Sequence, residues 1–177
     1  MVSVLAIMSA WSLGRFLQLL PEGSPWWLDT PAVLGFFGAY WSLYDRRGWR
    51  WRPFGMPLSR VPDLNGDWKG VVSSSHKLEE DLPATLTIRQ THSRIVAELR
   101  TLDSQSTSLM AAVGQTPSGR VYLNYSYINQ PRALVPVGMH VHRGIVGLEM
   151  DGSGVLEGDY STDWHRNNHG RLRFTRE

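Results

Sequence analysis

The sequence predicts an N-terminal two-helix transmembrane hairpin followed by an all-β, antiparallel, up-and-down eight-stranded barrel. Three observations carry this reading. Two apolar runs of nearly membrane length, Val2–Leu20 and Trp26–Tyr44, stand close together at the N-terminus. An arginine cluster follows them. From Pro62 onward the pattern changes to short alternating runs punctuated by Gly, Pro, Asn and Asp.

The expected organisation is a hairpin over residues 1–45, a basic and aromatic membrane-proximal linker over 46–61 and a soluble domain over 62–177. Charge divides at nearly the same place. Residues 1–60 hold six Arg against Glu22, Asp29 and Asp45, a net +3, whereas residues 61–177 hold 12 Lys+Arg against 13 Asp+Glu, a net −1. The basic character therefore belongs to the membrane-proximal part, and the soluble domain lacks the basic surface of a general DNA- or RNA-binding protein. The absence of Cys excludes disulfides, thiolate metal sites and cysteine nucleophiles. Lys69 and Lys77 are the only lysines, so an anion site would draw on guanidinium groups.

In the first apolar run, Arg15 lies near enough to the Leu20 end for its long side chain to snorkel to the headgroups. A signal peptide is the rival reading, but the start has no basic flank and no clear small-x-small cleavage site follows. Pro21–Pro25 forms the turn. In the second run Trp26 and Trp27 at one end, with Tyr40, Trp41 and Tyr44 at the other, resemble interfacial aromatic belts, and Pro31 falls in the first helical turn, where it does little harm. A buried soluble hairpin is the alternative. Arg46, Arg47, Arg50, Arg52 and Arg60, interleaved with Trp49 and Trp51, place this flank and both termini in the cytoplasm by the positive-inside bias.

Eight strands are expected, roughly Gly66–Ser74, Ala84–Thr91, Arg94–Leu102, Ser106–Gln115, Arg120–Ile128, Met139–Met150, Val155–Thr162 and Gly170–Thr175. Leu86, Ile88 and Gln90 alternate with Thr85, Thr87 and Arg89, as in a half-buried antiparallel strand. Pro117–Gly119 and Asp151–Gly154 are hairpin turns. Sequential strands with short turns can close into a barrel whose interior admits side chains or one small ligand. Gly66-Asp67-Trp68 resembles the Gly-x-Trp opening of lipocalin-like barrels, with the indole as a plug at one end. Asn129–Gly138 is the longest connection and a candidate binding loop.

His140 and His142, and Asp163, His165 and His169, have metal-ligating side chains, but the second set lies in a polar turn; no metal or other cofactor is expected. No Gly-x-Ser-x-Gly elbow and no framed carboxylate pair marks a hydrolase, so no enzyme is expected. The richest set is Tyr125, Tyr127 and Asn129, which fall on one strand face and lead into the long loop. An aromatic face with hydroxyls suits stacking on a base. Gln90, Ser106 and Ser108 on other strands would add hydrogen bonds, and Thr162, Arg132 and Arg166 near the rim would add a phosphate clamp. A cross-strand aromatic ladder is the competing structural explanation for these tyrosines.

The whole pattern resembles the two-transmembrane, β-strand-rich effectors of bacterial cyclic-oligonucleotide anti-phage signalling systems (CBASS). The resemblance rests on the hairpin and, in order, Leu64-Asn-Gly-Asp-Trp-Lys-Gly70, Ile88-Arg-Gln-Thr91, Ser104-x-Ser106-x-Ser108, Tyr125-Ser-Tyr127-Ile-Asn129-Gln-Pro131, His142-x-Gly144 and Leu156-Glu-Gly-Asp-Tyr-Ser-Thr162. It implies a minimal eight-stranded barrel in the cytoplasm that binds a cyclic dinucleotide made by a partner nucleotidyltransferase. Binding would drive homo-oligomerisation of a multi-pass anchor and disruption of the bacterial inner membrane. The alternative is a membrane-anchored barrel holding a lipid or peptide.

Overall fold

The computed structural model describes residues 1–17, 29–75, 77–131, 140–164 and 168–176. The chain divides into two compact units, Met1–Arg60 and Val61–Glu177. In the first, helices α1 (Val2–Leu17) and α2 (Asp29–Arg46) are followed by two single 3₁₀ turns, Gly48–Arg50 and Pro53–Gly55. The turn expected at Pro21–Pro25, with Trp26 and Trp27, lies outside the described residues.

No helix among the described residues is long and apolar enough to cross a membrane, which departs from the expectation of two spans. The described 16 residues of α1 cover about 24 Å of the roughly 30 Å hydrocarbon layer. The 18 residues of α2 include Asp29, Asp45 and Arg46. Burial on α1 falls on small side chains, Ala6 and Ala10, whereas Val4, Ile7, Met8, Trp11 and Phe16 are exposed. Ser9 Oγ lies 2.7 Å from Tyr40 Oη, tying α1 to α2.

The second unit is a closed barrel of eight antiparallel strands paired in chain order. They are β1 (Gly66–Ser74), β2 (Lys77–Gln90), β3 (Ile95–Arg100), β4 (Ser104–Gln115), β5 (Val121–Pro131), β6 (His142–Met150), β7 (Val155–Thr162) and β8 (His169–Arg176). Closure is made by β1 against β8, from Trp68 opposite Arg176 to Ser74 opposite Gly170. The one large departure from expectation is β2, which begins seven residues before Ala84. Pro83 sits within it. It is tolerated because β2 pairs with β3 only over Thr85–Gln90, so Pro83 faces no ladder on that side.

An up-and-down barrel has two distinct ends. At one end Trp68 is buried, its Nε1 donating to the Leu64 carbonyl at 3.0 Å, with the Arg176 guanidinium 5.5 Å from the ring centre. Leu64 is fully buried beside it. Gln90 fixes the incoming chain there: its Oε1 accepts from the Leu64 amide at 2.9 Å, and its Nε2 donates to the Pro62 carbonyl at 2.8 Å. The layer above is apolar and solid, built from Leu86, Ile88, Leu123, Leu148, Leu156 and Phe174, each at most 1 % exposed.

Truncating Gln90 leaves the buried Leu64 N–H and Pro62 carbonyl without their partner. Gln90→Ala is expected to cost about 1–3 kcal/mol and to lower the thermal midpoint by several degrees, checked by calorimetry; an unchanged midpoint would mean the plug adds nothing to stability.

Candidate functional site

At the opposite end the interior turns polar. The last turns of the odd strands and the first turns of the even strands enclose a cavity of about 130 Å³. Its floor is Val72, Leu82, Leu99, Val146 and Leu172, and its mouth is lined by Ser74, Thr101, Asp103, Ser104, Ser106, Tyr127, Asn129, His142, Thr162 and Asn168. Strand alternation puts them there. Tyr125, Tyr127 and Asn129 face inward from β5 and are 5, 6 and 7 % exposed, and Ser106, opposite Asn129 on β4, is 5 % exposed.

Tyr125 lies deepest. Among the described residues its hydroxyl is buried without a hydrogen-bond partner, at a cavity that holds polar groups only further up. Burial, chiefly, and the neighbouring Tyr127 hold its pKa well above the usual tyrosine range. Above it, Tyr127 meets Tyr125 edge-on at 6.4 Å between ring centres and His142 nearly perpendicularly at 6.3 Å. Tyr127 has this position because its cross-strand partner is Gly144. A Cβ on Gly144 would come within 2.5 Å of the Tyr127 hydroxyl and of the Ser161 carbonyl.

The rim on the far side is a hydroxyl–amide network. Asn168 Nδ2 donates to Ser74 Oγ at 3.0 Å, and Ser75 Oγ donates to Asn168 Oδ1 at 2.6 Å. The Asn168 amide donates to Thr162 Oγ1 at 2.9 Å, and Thr162 Oγ1 donates to the Asn168 carbonyl at 3.0 Å. These bonds hold the β7–β8 connection onto the end of β1. The result is a shallow socket with an aromatic wall, amide and hydroxyl groups around it, and no Lys or Arg in its lining among the described residues.

Of the residues expected from the sequence, the structure brings Ser106, Tyr125, Tyr127, Asn129 and Thr162 together at this cavity. Two stand elsewhere. Gln90 ends an even strand, so it belongs to the plug, and its amide is engaged with Pro62 and Leu64. Ser108 Oγ accepts from the Ala97 amide at 3.0 Å, where the β4 register shifts before Met110, and it stays out of the cavity lining. Arg132 and Arg166, with most of the Asn129–Gly138 loop and His165, lie outside the described residues. Sequence reasoning missed Ser74, Thr101, Asp103, Ser104, Tyr160 and Asn168, and considered His142 only as a metal ligand. Among the described residues no three His, Asp or Glu side chains gather as metal ligands would.

A small closed barrel with one end plugged and the other polar is a receptor architecture: the fold supplies a socket and a rigid wall. Residues 59–176 match the family model described as Cap15, cyclic dinucleotide receptor domain, and the chain belongs to that family of CBASS effectors. No curated protein matches the chain.

The buried hydroxyl of Tyr125 offers a test. Removing an unpartnered buried donor is expected to stabilise the free protein by about 1–3 kcal/mol in Tyr125→Phe. Because the folded-state pKa is raised, the unfolded chain ionises first, so the fold loses stability as pH rises past the ordinary tyrosine pKa of about 10. Denaturation midpoints between about pH 9 and 11 should therefore fall less steeply for Tyr125→Phe than for the wild type; parallel slopes would contradict the burial assigned to this hydroxyl.

Proposed function

We propose that the polar mouth of the barrel binds the cyclic dinucleotide, with the residues of β4, β5 and β7 that line it reading one end of the ligand. The observation that carries this is the cavity built around Tyr125, Tyr127 and Asn129. A tyrosine face stacks on a base of any identity, and Asn129, Ser106 and Thr162 supply amide and hydroxyl groups for its edge. Arg132 and Arg166, which follow β5 and β7 in the sequence, are the proposed phosphate partners. Gln90 and Ser108 are left out of the site, since one holds the plug and the other bridges β4 to β3.

We further propose that residues 1–45 act as a hairpin anchor in the bacterial inner membrane, residues 46–61 as a basic linker on its cytoplasmic face and residues 62–177 as the sensor. Support comes from the inverted burial of α1, small side chains inside and large apolar ones outside, as expected of a helix meant for lipid or for other copies. Ligand binding shifts the barrels toward an assembled state, and clustered hairpins then disrupt the membrane. The outer face carries exposed Leu109, Met110 and Ile145, at 55, 74 and 65 %, which favours assembly through the barrel.

The test is titration calorimetry of the full chain with a panel of cyclic dinucleotides, paired with dye release from vesicles holding the same protein. Tyr127→Ala and Asn129→Ala are each expected to weaken binding about tenfold or more, near 1.4 kcal/mol, and to suppress dye release, while Gln90→Ala keeps wild-type affinity. Wild-type affinity in both mouth variants would overturn the site; tight binding with sealed vesicles would overturn the membrane role.

A further inference from the structure

We propose that one cyclic dinucleotide is shared between two copies of this chain, each mouth taking one nucleotide half, so that the ligand closes a two-fold dimer. The inference rests on the mouth being the ligand site, as proposed above, and starts from a mismatch of size. The cavity measures about 130 Å³. Pockets that engulf a drug-sized ligand begin near 300 Å³, and a cyclic dinucleotide, with two bases, two sugars and two phosphates in one ring, is at least that large. A single base fits.

The socket has no route to deepen. Its floor of Val72, Val146 and Leu172 rests on the layer of Leu86, Leu148, Leu156 and Phe174, and opening space there would empty a close-packed core, at several kcal/mol for each large side chain displaced. Charge sets the same limit. Asp103 stands in the lining, and no Lys or Arg does among the described residues, so the phosphates are better placed outside the socket.

A base held inside and phosphates held outside leave the second nucleotide projecting from the mouth. The two halves of a cyclic dinucleotide are related by a two-fold axis through the ring, exactly so when the bases are alike. The surface that fits the projecting half is therefore the one that already fits its mate, the mouth of a second copy. Such a contact is isologous: it stops at two chains and needs no new binding surface. The chain enters the barrel at the plug, where Gln90 holds Pro62 and Leu64, so residues 61–66 stay clear of the mouth.

A bridging ligand has a signature that ordinary ligand-induced dimerisation lacks. At one ligand per two chains both mouths share one molecule; at excess ligand each mouth fills with its own, and the bridge dissolves by mass action. The experiment titrates the full chain with cyclic di-AMP, cyclic di-GMP and cyclic di-UMP, reading stoichiometry by calorimetry and the dimer by native mass spectrometry. For the ligand that binds, the expected result is one molecule per two chains, with the dimer rising to a maximum at that ratio and falling in several-fold excess. Tyr127→Ala should lose binding and dimer together. One ligand per chain, with a dimer that is absent or that persists in excess, overturns the shared ligand and leaves the mouth as the site. Wild-type binding in Tyr127→Ala and Asn129→Ala removes the site and the proposal with it.

Discussion

Closing eight strands into a barrel leaves an interior that side chains must fill or a ligand must enter, and this chain divides that interior between the two. The division depends on one constraint, the sealing of the end where the chain arrives. Trp68 covers it, Leu64 packs beside the indole, and Gln90 ties the approaching backbone down with a buried and a half-buried hydrogen bond. With that end solid, the leucine and phenylalanine layer above it can carry the hydrophobic stabilisation of the unit. The other end is then released from packing duty.

That release explains the chemistry of the mouth. A buried tyrosine hydroxyl without a partner is unfavourable by itself, and a barrel stabilised throughout by packing would carry phenylalanine at position 125. Polar groups gathered at a sparsely filled mouth are tolerated because the layer below supplies the stability they forgo. Gly144 belongs to the same logic. It contributes no side chain, and the vacated volume lets Tyr127 lie against the barrel wall, where its ring faces both Tyr125 and His142. Asn168 belongs to the same end: its side chain and backbone join the end of β1, Thr162 of β7 and the start of β8.

Much of the barrel was legible in the sequence because period-two alternation and turn residues report strands directly. The start of β2 was not, since Lys77–Asp81 is charged and Pro83 reads as a break; pairing with β1 from Asp81 to Ile88 and, past a register shift, at Lys77 makes it extended. The tyrosine face of β5 was legible from spacing alone. The misplacement of Gln90 arose from grouping residues by type without following chain direction. In an up-and-down barrel the ends of odd strands and the starts of even strands share one end, which sets Gln90 apart and would have added Ser74, Ser104 and His142 to the mouth. Ser108 depended on a register shift that no composition reports, and Thr101, Asp103 and Asn168 on where hairpin turns fold over the rim. The hairpin helices were legible as apolar runs, and α2 runs two residues past the expected Tyr44, through Asp45 and Arg46.

The central claim is that the two ends of the barrel have separate duties, a sealed one for stability and an open one for the ligand. Amide hydrogen exchange on the full chain, with and without a bound cyclic dinucleotide, tests it most directly, since exchange reports local opening segment by segment. Protection gained over Ser104–Ser106, Tyr125–Asn129 and His142–Gly144, with Leu64–Trp68 and Gln90 unchanged, is the predicted result. Protection centred on Leu64, Trp68 and Gln90, with the mouth strands unchanged, would contradict the account.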